Sequence, residues 1–519
     1  MKLLLSVQAI LTGVILVLCF QGKGSHAVFW AVVLLFPSLG ILLSKKVREA
    51  VRLLFQKKFS DLNGFSQQRG TIPWGGLVLF GVLPSLFLVL LNGGTQSSQD
   101  NLPTLMSASS LLLEGNAEIS EYVFSSQDRK YACSAKVPLP YFARCTAKGV
   151  YSAYPAGMLV FSFPMAALSW LLGGRIDQPA GTRLEKWTAS WVAALSAGMF
   201  LFIALHLSSG RAAILATLFL SAASVLLSTV GQGLWTQGGV IFWLMLFLAV
   251  EFHWEGKPSF TGSMFQGLCL SLMFATRLNS ACIIAPLMIW VLARSVQRAL
   301  IVGLVAASCY VPWALFYFST YGTLFGPQIS FSSPDFWSHR YLETFAALLF
   351  SPGRGIFVFQ PWLLLGIFAY FFSRSVATKA AWTAPKGWQV AFLFSCALSL
   401  FLISGWKTWE GGYCYGSRLL AEIVPLAGLL VVRALDVALR ERKRVVWATV
   451  VVGFAIHMNG VYFLGGFWQN NPQRQYVDFL ERAWDWSDPP FLYPLPRKIR
   501  AVFVPGLKGS PKIDADISR

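Results

Sequence analysis

The chain has 519 residues, of which 55% are hydrophobic and 13% charged, against about 25% charged in an average soluble domain. No soluble fold of this length can hide that much apolar surface, so the composition excludes an ordinary soluble enzyme and predicts an all-α, polytopic integral membrane protein. The net charge of +19 does not imply nucleic acid, because membrane proteins collect Lys and Arg in cytoplasmic loops and beside anionic headgroups of the lipid bilayer.

A spanning helix needs about 20 mostly apolar residues to cross about 30 Å of hydrocarbon. Thirteen such crossings are predicted, over 2–20, 27–43, 72–91, 188–207, 212–230, 240–252, 262–276, 280–294, 299–317, 355–372, 388–404, 419–432 and 446–465. The first follows a single Lys2 and has no small-residue cleavage site behind it, so it reads as a retained helix. Lys45, Lys46, Arg48, Arg52, Lys57, Lys58 and Arg69 then place the second connection, and with it the N-terminus, in the cytoplasm. Three parts follow: an N-terminal two-helix hairpin with its basic linker (1–71), a membrane core (72–465) and an external tail (466–519).

The apolar segment 154–172 is not counted as a crossing. If it crossed, the loop bearing Arg433, Arg440, Arg442, Lys443 and Arg444 would face outward, as would that bearing Arg374, Lys379 and Lys386, against the positive-inside bias. Its Pro155, Gly157 and Pro164 fit an interfacial or re-entrant helix on the outer surface. The competing solution lets it cross and fuses 262–294 into one long broken helix.

The external face then carries 92–186, 319–354, 405–418 and the tail. Unstructured connections above about 15 residues are usually functional or disordered, and these are too rich in aromatics, Gly and Pro for a disordered linker. Chemistry is expected there. Asp100 precedes Asn101, Leu102 and Pro103 near the exit of a span, with Gly115 as a stop for the helix that follows; it reads either as a helix cap or as a general base. Cations on the same face are Arg354 between two glycines, and Lys407 and Arg418 flanking Glu410. Arg suits phosphate through its planar fork, although an Arg at a membrane boundary also snorkels to headgroups. Arg277 lies between two spans. Tyr154 and Trp235 belong to a crowd of external aromatics that serve as an interfacial belt or as faces for a sugar. Cys133 and Cys145 share the long loop assigned to an oxidising compartment, which predicts a disulfide. No metal-ligand spacing, Gly-rich phosphate loop, nucleotide-binding domain or Ser-His-Asp arrangement is evident, and with only five His and no cytoplasmic domain an ATP-driven pump is not expected.

Six pieces in order resemble the bacterial branch of the GT-C superfamily, the multi-spanning glycosyltransferases that include protein O-mannosyltransferases and lipid A aminoarabinose transferases. They are Gln99-Asp100-Asn101-Leu102-Pro103, Ser152-Ala153-Tyr154-Pro155-Ala156-Gly157, Gly233-Leu234-Trp235-Thr236-Gln237-Gly238, Ser351-Pro352-Gly353-Arg354-Gly355, Tyr415-Gly416-Ser417-Arg418 and Trp484-Asp485-Trp486-Ser487-Asp488-Pro489-Pro490. The resemblance implies an inner-membrane enzyme that moves a sugar from a polyprenyl-phosphate carrier to a cell-envelope acceptor on the periplasmic or extracellular face. It implies an inverting transfer with Asp100 as base, and substrate binding by Arg354, Arg418, Lys407, Glu410, Arg277, Tyr154, Trp235 and Gln237. Two departures stand out: Thr104 and Leu105 replace an Arg expected after Pro103, and the loop at 235–239 lacks an acidic residue. The second argues against a divalent metal, and no other cofactor is implied. The alternatives are a transporter or flippase of a lipid-linked glycan, which would favour internal repeats and broken helices at the midplane, and a catalytically inactive relative.

Overall fold

The structure is a computed structural model that describes residues 45–68, 73–91, 100–125, 128, 133, 138–173, 183–254, 257–327, 337, 340–372, 385–412, 414–462, 478–487 and 489–492. The predicted spans 2–20 and 27–43, and most of the tail, lie outside them. The described chain is mostly helical. In order come α1 (Lys45–Gln68), α2 (Trp74–Leu90), α3 (Leu102–Leu113), α4 (Leu159–Leu171), α5 (Arg183–Leu207), α6 (Gly210–Ala222), α7 (Thr236–His253) and α8 (Phe260–Thr276). They are followed by α9 (Ala281–Leu292), α10 (Val296–Tyr321), α11 (Tyr341–Phe350), α12 (Pro361–Phe372), α13 (Trp388–Ser404), α14 (Val424–Glu441) and α15 (Lys443–Tyr462). Among the described residues four helices are long and apolar enough to cross a membrane: Leu184–Leu207, Thr236–His253, Val296–Tyr321 and Lys443–Val461.

Local chemistry accounts for the departures from the predicted elements. An all-α chain was expected, but Ala143–Thr146 and Gly149–Ser152 pair as an antiparallel hairpin, β1 and β2. The basic linker is not a loop: it is α1, which buries Leu62 against Gly76 and sets Phe59 edge-on to Phe80. The predicted span 212–230 breaks after Ala222 and resumes as a single wide π turn over Leu226–Val230. The presumed loop at 433–444 is helical except for a turn at Arg442.

Two ends of the bundle can be told apart by what the helices touch. Helix α5 begins beside Leu234, whose N–H donates to Glu185 at 3.0 Å, and ends where the Leu207 carbonyl accepts from Arg433 at 2.9 Å. Helix α14 runs the same way, since it starts after Arg418 and carries Asp436, which takes the Ser209 hydroxyl at 2.9 Å, near its far end. At that far end Glu251 pairs with Arg294 and Arg298. Helices α8 and α9 therefore form the two legs of a hairpin turning at Arg277, since Arg294, two residues past α9, returns to Glu251. They are not one broken helix. The chain stands at the Trp235 end both at Tyr154 and at Glu185.

Over the Trp235 end lies an outer layer. Helix α3 packs on α4, and Met106, Ile119, Phe124, Phe142, Ala143 and Val150 bury a small core between α3 and the hairpin. Cys133 and Cys145, expected to pair, are bonded to each other with Cα atoms 5.5 Å apart. Gly157 lets this layer touch the bundle. A Cβ there would lie 2.3 Å from the Thr276 nitrogen and 2.4 Å from the Ala275 carbonyl carbon. The buried Tyr317 hydroxyl fastens the same crossing, accepting from the Ala156 N–H at 2.9 Å and donating to the Ala275 carbonyl at 3.2 Å.

Candidate functional site

Asp100 lies two residues before the start of α3. The helix cap is Asn101, so the capping reading of Asp100 does not hold. Its carboxylate instead collects donors from three distant segments. The hydroxyls of Tyr141 and Tyr154 both donate to Oδ1 at 2.8 Å, and Arg418 Nη1 donates to Oδ2 at 2.8 Å across 318 residues of sequence. The Tyr154 side chain reaches inward because Ser152 closes a tight turn, its hydroxyl accepting from the Tyr154 N–H at 2.9 Å. Burial alone would raise the Asp100 carboxyl, but the Arg418 charge and the donors from Tyr154, Tyr141 and Arg418 outweigh it and hold it below the usual value. Burial, and then the Asp100 charge, push the Tyr154 phenol above its usual value. At neutral pH the site therefore holds a carboxylate beside the neutral phenol of Tyr154.

Arg418 opens the turn leading into α14. Its guanidinium lies over the Trp235 ring, 4.2 Å from the centroid, a cation–π contact strengthened by exclusion of water. It also donates to the Gly411 carbonyl. Gly411 and Gly412 have φ of +77° and +64°, which glycine adopts at no steric cost, and this folds the loop so that its carbonyls face inward. One turn beyond Arg418, Glu422 pairs with Arg277 where α8 gives way to α9.

These groups surround a cavity of about 680 Å³, within the range of small-molecule sites. Asp100, Tyr154, Trp235, Gln237, Arg277 and Arg418, all singled out from the sequence, line it together. Leu278, Ala281, Leu402 and Leu419 give it an apolar side, and Trp337 and Trp406 add aromatic faces. Trp337 and Trp406 are bridged to each other through their backbones.

Three sequence candidates are not brought to the cavity. Arg354 is 1% exposed. Its Nε donates to the Glu410 carbonyl at 2.7 Å, Nη1 to the Gly353 carbonyl at 3.1 Å and Nη2 to the Gly412 carbonyl at 3.4 Å. A fork that faces main-chain carbonyls holds the 410–412 loop in shape, which corrects the expectation of a phosphate ligand. Lys407 is exposed, and neither it nor Glu410 is among the lining residues. Burial raises the Glu410 carboxyl above its usual value. Conversely, Tyr141 and Asn101 line the cavity without having been singled out. Among the described residues no cluster of three or more His, Cys, Asp or Glu could hold a metal.

No protein-family model matches the chain, and no curated protein matches it.

Proposed function

We propose that the chain is a membrane glycosyltransferase of the GT-C kind, which moves a sugar from a polyprenyl-phosphate carrier to an envelope acceptor at the outer face of a bacterial inner membrane. One observation carries this reading: an ionised carboxylate, Asp100, is paired with a buried Arg418 at the wall of a cavity that joins polar, aromatic and apolar surfaces. A sugar needs polar groups and aromatic faces, its phosphate needs a cation, and a prenyl chain needs an apolar side. The same cavity offers all of these.

In this reading the acceptor hydroxyl gives its proton to Asp100 as its oxygen bonds to the anomeric carbon, and the bond from that carbon to the phosphate oxygen breaks. The electron pair leaves with polyprenyl phosphate. Arg418 and Arg277 supply positive charge for that leaving group. Tyr141 and Tyr154 hold the carboxylate in place. The thirteen crossings, with 154–172 lying on the outer surface, fit this orientation: the end remote from the cavity carries Arg294, Arg298, Arg433 and Arg440, as positive-inside bias requires of a cytoplasmic face.

The test is release of undecaprenyl phosphate by the purified full-length chain from a panel of radiolabelled lipid-linked sugars. Release above that of an Asp100→Asn preparation is expected with at least one donor. Passage of a lipid-linked glycan across a vesicle membrane without any release would replace this reading with the transporter.

A further inference from the structure

Asn101 stands at the N-cap of α3, where Asn is favoured because its side-chain oxygen can accept a backbone N–H. It makes no such bond. The residue is 2% exposed, lines the cavity next to Asp100, and its Nδ2 has no hydrogen-bond partner. Trp235 Nε1 and Arg418 Nε, on the same cavity, are also buried without a partner. Buried polar groups left unpaired are destabilising, and folded proteins retain few. All three groups here are N–H donors, so the chemistry that completes them is an oxygen acceptor. Pro103 near the start of α3 helps fix the backbone that presents Asn101. The dipeptide thus places an acceptor, the Asp100 carboxylate, beside a donor, the Asn101 amide.

We propose that Asn101 is a substrate-contacting residue whose side-chain amide, with the Trp235 indole N–H and Arg418 Nε, donates to an oxygen of the lipid-linked sugar donor. This rests on the glycosyltransferase reading for the identity of the ligand, whose oxygen is either phosphoryl or a sugar hydroxyl. A group that donates to nothing in the free chain can be removed without breaking a bond there. Asn101→Leu, close in size, should therefore leave thermal stability equal or higher while weakening the ligand.

The experiment measures equilibrium binding of undecaprenyl phosphate, and of an undecaprenyl-phosphate-linked hexose, to the full-length chain and to Asn101→Leu, together with thermal unfolding of both. About a tenfold loss of affinity, the scale of one hydrogen bond, is expected at undiminished stability. Loss with both lipids assigns the phosphoryl oxygen, and loss confined to the glycosylated lipid assigns a sugar hydroxyl. Asn101→Asp, which puts an acceptor where a donor was, should weaken the same lipid at least as much and serves if the Leu variant does not fold. Equal affinities for both lipids in all three chains would overturn the assignment, as would lowered stability with unchanged affinity. Wild-type binding without transfer would instead count against the proposed activity and leave Asn101 as a ligand contact.

Discussion

Replacing Asp100 with Asn separates the chemistry of the carboxylate from its structural part. The Asn variant keeps the size of the side chain and an oxygen for Tyr141 and Tyr154, but it loses the negative charge facing Arg418 at 2.8 Å. Removing one partner of a buried ion pair costs roughly 3–5 kcal/mol. The cost here belongs toward the lower end, because Arg418 keeps the Gly411 carbonyl and the Trp235 face, and the Asp100 side chain is 20% exposed. On the proposed transfer, a loss of turnover is expected separately. Removing a general base lowers turnover by about 10²–10⁴, or roughly 3–5 kcal/mol of barrier. A second substitution divides the two effects. In Asp100→Asn/Arg418→Gln no charge is stranded, so stability should return most of the way while transfer stays low. The assay is initial-rate transfer at saturating lipid donor, with thermal unfolding of the same preparations. Wild-type turnover by the single Asn variant, or recovery of turnover in the double variant, would refute Asp100 as the base.

Tyr141→Phe and Tyr154→Phe each delete a donor to ionised Asp100, so the acid limb of the transfer rate should move to higher pH, read from the pH–rate profile, while a purely structural role would leave it in place. The Asp100 carboxyl titrates below its ordinary value of 3.8 when folded, so its stabilising contribution is complete above that value and is lost as pH falls through the folded one; the gap in unfolding temperature between wild type and Asp100→Asn should be full at pH 7 and close in acid. Arg354→Lys keeps the charge but loses the fork, and should cost about 1.5–3 kcal/mol of stability with little change in affinity for undecaprenyl phosphate; a large affinity loss at unchanged stability would restore Arg354 as a phosphate ligand. Cys133→Ser should cost about 2–4 kcal/mol and speed hydrogen exchange in the 143–152 hairpin, whereas unchanged exchange would show that Arg144, which donates to the Pro327 carbonyl, holds the hairpin by itself.

Much of the helical layout was legible because apolar runs bounded by Gly, Pro and charge have few alternatives in so apolar a chain. Asp100 and Arg418 were legible as members of one site but not as an ion pair, since nothing in either segment encodes the direct contact of the two side chains. Arg354 misled for a physical reason: an Arg between two glycines at the mouth of a span looks the same whether it meets phosphate, headgroups or carbonyls. Only the inward-facing 410–412 loop decides between them. The hairpin strands are four residues each, too short for alternation to rise above chance. Asn101 was hidden by Asp100, because two adjacent cap-forming residues read as one start signal.

The span of 318 residues between Asp100 and Arg418 has a consequence for how the protein is made. At about 5–20 residues per second, the ribosome delivers the arginine roughly 15–60 s after the aspartate. Through that interval the cavity lacks Trp406, Gly411, Gly412, Arg418 and Leu419 from its wall, and Asp100 lacks the bond from Arg418. The site is thus completed late in synthesis, and a chain interrupted before residue 418 would carry Asp100 without the guanidinium that faces it in the finished protein.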